Sequence, residues 1–139
     1  MKDYMIENKC RFLKSDGTPL NDEWYDWVGD FNNGFAKVKK EGLGYSFINT
    51  EGKHINDEWY DVVVDFYNGF ARVYKKGLGY NFINTEGQYL TDDWYDWVYY
   101  FKEGFVKVYK TAEDYDNDAF YYLDNKGILY DENKQLIKI

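Results

Sequence analysis

Carboxylates recur along this chain in three similar blocks: Asp22, Glu23, Asp26 and Asp30; then Asp57, Glu58, Asp61 and Asp65; then Asp92, Asp93 and Asp96. Paired carboxylates can work as general acid and base, and clustered carboxylate oxygens can hold calcium. The spacing fits neither role, because no Asp-x-Asp-x-Asp-Gly loop occurs and an active site is seldom repeated three times in identical form. The expectation is therefore structural. Asp26, Asp61 and Asp96 accept turn or backbone N–H bonds, and the "NDE" segments form solvated corners.

Aromatic residues repeat in the same rhythm, with Trp24, Trp59 and Trp94 standing 35 residues apart. Such a ladder either fills a narrow core or lines a groove for a sugar ring, a peptide or a quaternary amine, using flat apolar surface and attraction for cations. Tyr74, Tyr99, Tyr100 and Tyr109 lie mostly on or beside faces that elsewhere carry Lys or Asp, and are expected to be exposed. These four tyrosines and the three tryptophans form the expected ligand or partner surface. No catalytic, cofactor-binding or metal-binding residue is assigned. Cys10 is the single cysteine and reads as an inert residue of a terminal strand, with nothing placing a base beside it. His54, the single histidine, occupies a variable place matched by Tyr89 and reads as solvent-exposed. "GLGY" is glycine-rich but lacks the Lys-Ser/Thr or following helix of a phosphate cradle.

The elements that carry these residues are legible in the repeat. "NDEWYDWVGDFNNGFAKVKKEGLGYSFINTEG" is followed, after Lys53, His54 and Ile55, by "NDEWYDVVVDFYNGFARVYKKGLGYNFINTEG". Gly34, Gly69 and Gly104 keep the same interval of 35 residues, as do Gly17, Gly52 and Gly87. The period slips only after Lys110, where "TAEDYDND" intervenes before "FYYLDNKG" ends the third unit at Gly127. "CRFLKSDG" repeats the unit's ending before the first full copy. The expected divisions are a partial unit at 1–17, full units at 18–52, 53–87 and 88–127 with an insert near 111–118, and a terminal strand at 128–139. Partial units at the ends are what capping requires.

Within each unit the alternation is period two, which predicts strands. The first strand is expected to turn Tyr25, Trp27, Gly29 and Phe31 inward, opposite Asp26, Val28 and Asp30, and its copies to follow suit. The next strand alternates Ala36 and Val38 with Lys37 and Lys39. Asn33-Gly34 and Asn68-Gly69 between them are strong hairpin signals, with Glu103-Gly104 as the variant. A third strand, "GYSFIN", leads to a glycine turn at Gly52 and a short return strand. Gly42, Gly44, Gly77 and Gly79 imply a sharp connection or close backbone contact. The one helical signal is a turn near "NDEW".

Composition bounds the rest. The 139 residues are 45% hydrophobic, 22% Phe, Trp or Tyr, with a net charge of -8 and mixed signs. That balance argues against nucleic acid or an anionic membrane surface as a partner. No run approaches the ~20 apolar residues of a membrane span, and no signal peptide is visible, so a cytoplasmic location is the default.

The pattern "WYDxVxxFxxGFAxVxKxGLGYxFINTEG" resembles the WG-repeat, or KWG-repeat, family. The likeness rests on Tyr25, Asp26, Phe31, Gly34, Phe35, Ala36, Val38, Gly44, Tyr45, Ile48 and Gly52, on their copies in the second unit, and on Tyr95, Asp96, Phe101, Gly104, Phe105 and Val108. At the turn that names the family, Leu43 and Leu78 stand where Trp would precede the glycine. The resemblance implies a repeat module with a binding role and no catalytic residues. "GYNFINTEG" is also weakly similar to choline-binding cell-wall repeats, whose units are shorter.

These readings converge on an all-β fold, an open stack of antiparallel hairpin repeats, with a closed β-trefoil-like arrangement as the alternative. The expected function is a non-enzymatic module binding a protein or peptide through a repeat-built aromatic and acidic face. A carbohydrate or cell-envelope ligand is the alternative, and self-association is a further option. No cofactor is expected.

Overall fold

Asn33-Gly34, Asn68-Gly69 and Glu103-Gly104 each place both residues at positive φ, at 52° and 88°, 52° and 85°, and 53° and 83°. These are the two-residue turns whose twist matches that of the flanking strands. Around them the computed structural model, which describes residues 2–137, forms β1 (Lys2–Ile6), β2 (Lys9–Leu13), β3 (Trp27–Asn32), β4 (Phe35–Lys40) and β5 (Gly44–Asn49). The chain continues through β6 (Val62–Val63), β7 (Phe70–Lys75), β8 (Gly79–Asn84), β9 (Trp97–Val98) and β10 (Phe105–Tyr109). It ends with α1 (Ala112–Asp116), β11 (Tyr121–Asp124) and β12 (Leu129–Tyr130). Among the described residues the fold is all-β but for that one short helix.

Among the described residues the strands pair antiparallel into four small sheets, β1-β2, β3-β4-β5, β6-β7-β8 and β12-β11-β10-β9, none closed into a barrel. Consecutive sheets are spliced rather than merely adjacent. Tyr60 exchanges both backbone hydrogen bonds with Tyr45 of the preceding sheet, at 2.7 and 2.8 Å, and the next residue, Asp61, donates its N–H to Tyr74 O at 2.9 Å in the following sheet. Tyr25 does the same with Cys10, as Tyr95 does with Tyr80. Each "WYD" segment therefore closes one sheet and opens the next. The return strands appear as single bridges, Ile48 to His54 and Ile83 to Tyr89.

The approach at the splices of Tyr60 and Tyr95 requires glycine. Gly44 has φ +109°, and a Cβ there would collide with the Tyr60 carbonyl oxygen; Gly79, at φ +112°, stands in the same relation to Tyr95. The close backbone contact expected from "GLGY" is present, and it is a contact between units.

Three hydrophobic cores lie between successive sheets. The first gathers Phe12, Leu20, Tyr25, Ala36, Val38 and Ile48. The second gathers Phe47, Tyr60, Val63, Phe66, Ala71, Val73 and Ile83, and the third Phe82, Tyr95, Val98, Phe101, Val106, Val108 and Leu123. Strand β5 serves two of them, since Ile48 faces the first and Phe47 the second, which is why Ser46, Phe47 and Ile48 are all buried. Burial on both faces converts a set of small hairpins into a fold.

The expected inward set of the first strand is corrected. Trp27 is 43% exposed and Val62 46%, while Val63 and Val98 are buried and Val28 packs against the first core. The inward residues are Tyr25, Val28 and Phe31, with Tyr60, Val63, Phe66 and Tyr95, Val98, Phe101 as their copies, a spacing of three rather than two. A register shift between Val28 and Phe31 inserts one extra residue against β4 and returns Phe31 to the face of Val28. The helical signal near "NDEW" is also corrected. Asn21 Oδ1 accepts the Glu23 N–H at 2.9 Å in a local turn, and the helix instead occupies the insert, capped by the Thr111 side chain.

Val63→Ala should therefore cost about 2 kcal/mol of unfolding free energy. Val62→Ala, one residue away, should change it by less than about 0.5 kcal/mol. Urea unfolding of both variants checks the assignment, and the reverse ranking would restore strict alternation.

Candidate functional site

Strands β6 and β9 have two residues each, against six in β3. After each of them the chain leaves the regular ladder, and between the two departing segments lies a groove of about 720 Å3. Its apolar base is Phe66, Phe70, Phe82 and Phe101, with the Phe70 and Phe101 rings stacked at 5.0 Å and Phe82 meeting Phe101 at 5.1 Å. Tyr67, Tyr99 and Tyr100 rise beside it, Tyr67 59% and Tyr100 60% exposed. Arg72, Lys102 and Asp65 supply the charges.

Arg72 is held in place. Its guanidinium lies 4.9 Å from the centre of the Tyr100 ring and 5.7 and 5.8 Å from Tyr80 and Trp97. Nη1 donates to Val98 O at 3.1 Å, and Nε is buried without an acceptor among the described residues. Stacking on aromatic rings fixes the plane of a guanidinium while leaving it charged.

The preceding pair of sheets fills the same place differently. There Lys37 lies 3.7 Å from Asp65, Asn33 Nδ2 donates to Phe66 O at 2.8 Å, and the Phe35 and Phe66 rings stack at 4.5 Å. In the next pair Arg72 replaces Lys37 and Tyr100 replaces Asp65, so an aromatic stack stands where an ion pair stood. A second hollow, of about 370 Å3, shares Tyr99, Tyr100 and Lys102 with the groove and adds Glu103, Phe105, Lys107, Tyr122 and Lys134.

The structure separates the seven aromatic residues singled out in the sequence. Tyr99 and Tyr100 line the groove, whereas Trp24, Trp59 and Trp94 do not. Each indole is half-buried beside its own corner: the Arg11 guanidinium lies 4.2 Å from the Trp24 ring centre, His54 meets Trp59 edge-on at 5.5 Å, and Tyr89 meets Trp94 at 5.3 Å. Tyr74 packs on Tyr80 at 4.7 Å beside a separate hollow. Tyr109 was expected on the surface and is only 3% exposed. The insert covers it, with Tyr115 against its ring at 5.0 Å and Asp118 accepting its hydroxyl proton. That hydrogen bond, with burial, raises the Tyr109 pKa above the usual phenol value.

The phenylalanine floor, Tyr67, Arg72 and Lys102 escaped sequence reasoning. A signal was available, because Val64/Tyr99, Asp65/Tyr100, Tyr67/Lys102 and Lys37/Arg72 are places where otherwise matching units differ. The acids take the expected structural parts where their bonds are visible: Asp26 Oδ2 accepts the Glu41 N–H, and Asp61 Oδ2 the Lys76 N–H, each at 2.7 Å. Among the described residues no group of three or more His, Cys, Asp or Glu is arranged to hold a metal ion. No helix among them is long and apolar enough to cross a membrane.

His54 is half-buried rather than exposed, another correction. Its Nε2 lies 2.8 Å from Tyr25 Oη, which also accepts from Asn21 Nδ2 at 3.1 Å. Burial lowers the His54 pKa from 6.5, with Glu23 opposing and Lys40 reinforcing the shift. Burial likewise pushes Tyr25 up to about 12, so the phenol keeps its proton and donates it to neutral His54. A depressed folded pKa means that the unfolded chain binds the proton more readily, so stability is complete above the unfolded value of about 6.5 and falls as pH drops towards the folded value. Relative to His54→Gln, the wild-type urea midpoint should therefore fall as pH is lowered through this window. A relative rise would contradict the assignment.

The model of the WG containing repeat matches residues 25–43 and 60–78, from the core tyrosine to the leucine of the glycine turn in each case. No curated protein matches the chain. Among solved structures, the crystal structure of the computationally designed Ika8 protein is similar at 10% identity and a TM-score of 0.44, over 98% of this chain and 47% of that one. The chain thus spans about half the length of that design, and a likeness at this level carries no argument.

Proposed function

We propose that this chain, which carries the WG repeat over part of its length, is a non-enzymatic binding module for a protein or peptide. Its units follow one another as an open stack with a 35-residue period, a reading supported by the recurrence of the same splice and the same core positions. The observation that carries the function is the groove between the second and third full units. Four phenylalanines form its base and two tyrosines more than half exposed stand beside it, so apolar surface is offered to solvent at one junction. Buried aromatic anchors in such a setting dominate the energetics of peptide and protein recognition.

The second reading, a carbohydrate ligand on the tryptophan ladder, draws on the indoles being only half-buried. Their neighbours weigh against it: Arg11 lies over one indole, and His54 and Tyr89 abut the other two.

Selection of a random peptide library on the immobilised chain separates the two readings. Peptides should emerge that lose about tenfold or more in affinity for a Tyr67→Ser/Tyr100→Ser variant. Absence of any enriched peptide, together with a tryptophan fluorescence response to oligosaccharides, would overturn the peptide reading in favour of the sugar.

A further inference from the structure

We infer that the groove takes an acidic peptide segment bearing a large apolar anchor, an inference that rests on the peptide-binding reading above. The chain as a whole carries a charge of -8. Around the groove and the hollow that adjoins it across Tyr99, Tyr100 and Lys102, the balance is inverted. Arg72, Lys102, Lys107 and Lys134 stand against Asp65 and Glu103.

The existing pairs take one group from each side: Asp65 lies 3.7 Å from Lys37 of the preceding unit, and Lys107 lies 3.7 Å from Asp118 of the insert. Among the described residues no carboxylate forms a salt bridge with Arg72, Lys102 or Lys134. Two of these three sit over aromatic rings: Arg72 over Tyr100, and Lys134 over Phe105 and Tyr122 at 4.8 and 5.1 Å. A cation at the lip of an apolar hollow is less screened than one on an open surface, so a carboxylate delivered there gains more than it would in water.

Arg72 is the best prepared of the three. One guanidinium nitrogen is tied to Val98 O, the plane is set by Tyr100, and no carboxylate among the described residues pairs with the group. A guanidinium fixed in this way pairs with a carboxylate without first losing its own rotational freedom. The phenylalanine base asks for a different group, a bulky apolar side chain that brings no charge into the hollow. One peptide satisfies both demands if its apolar anchor is flanked by Asp or Glu. A basic segment would meet repulsion at the lip, and a purely apolar one would leave the cations unused.

The test uses fluorescein-labelled peptide pools with a fixed central Phe and degenerate flanks, either Asp/Glu, Lys/Arg or Ser/Gly, with anisotropy as the readout. The acidic pool should bind at least about tenfold more tightly than the basic pool and weaken as salt is raised. It should weaken further with Lys102→Glu/Lys134→Glu, whose melting temperature verifies the fold, and with Ala in place of the Phe anchor. Equal binding of all three pools, lost in Tyr67→Ser/Tyr100→Ser, would leave the groove as a peptide site and overturn its preference for acids. Acidic binding indifferent to both double variants would place the contact elsewhere and overturn the inference. Failure of every pool to bind would overturn both the inference and the peptide reading.

Discussion

Everything in this fold depends on short stretches of backbone that belong to two sheets at once. Tyr60 is hydrogen-bonded to Tyr45 behind it, while Asp61 is bonded to Tyr74 ahead. A single Cβ on Gly44 would push the two sheets apart at this point, since it would occupy the place of the Tyr60 carbonyl. The same residue must also bury its ring without stranding its hydroxyl. Asn56 Nδ2 reaches Tyr60 Oη at 3.2 Å and Gly87 O at 3.1 Å, and Tyr89 Oη lies 2.9 Å from the same phenol. Corner, splice and following glycine turn are thereby joined in one polar network at the edge of an apolar core. This accounts for the tyrosine, the asparagine and the glycines recurring together in the first two full units.

A scaffold specified so tightly leaves function to the positions that can vary. At the junction of the first two full units, Lys37, Asp65 and Asn33 tie the rim together. At the next junction those parts are taken by Arg72, Tyr100 and an asparagine, Asn68, that makes no such bond among the described residues, and a groove lies there over the phenylalanines with Tyr67 and Tyr100 exposed beside it. The groove is therefore a consequence of the repeat failing to repeat. The rim diverges while the splice beneath it keeps the same hydrogen bonds and the same glycine.

Much of this was legible in the sequence, for reasons that are local. Asn-Gly turns, alternating Ala36 and Val38, and glycines flanking Leu43 and Leu78 each specify backbone geometry through a few neighbouring residues, and each was found as expected. The first strand was misread because a bulge is a tertiary decision: alternation placed Trp27 inward, and the register shift before Phe31 put Val28 there instead. The invariance of Val28, Val63 and Val98 beside the variable Trp27, Val62 and Trp97 was the clue. Tyr109 and His54 were misplaced for a related reason. Their partners, Asp118 and Tyr25, are separated from them by 9 and 29 residues, and nothing in either local pattern announces a polar contact under cover. The groove was out of reach because it is made of two units, and only its Tyr99 and Tyr100 stood out as unusual within one.

The most direct measurement on the splice is a comparison of Gly79→Ala with Gly77→Ala by urea unfolding. Both glycines have positive φ, +112° and +89°, so both substitutions strain the backbone, but a Cβ at Gly77 meets nothing within 4 Å while one at Gly79 meets the Tyr95 carbonyl group. If sheets are held together by that backbone approach, Gly77→Ala loses about 1 to 2 kcal/mol and Gly79→Ala loses clearly more, with the transition broadened or the third core melting first. Equal losses for the two variants would mean that the close approach is incidental, and that packing of the cores alone holds consecutive sheets together.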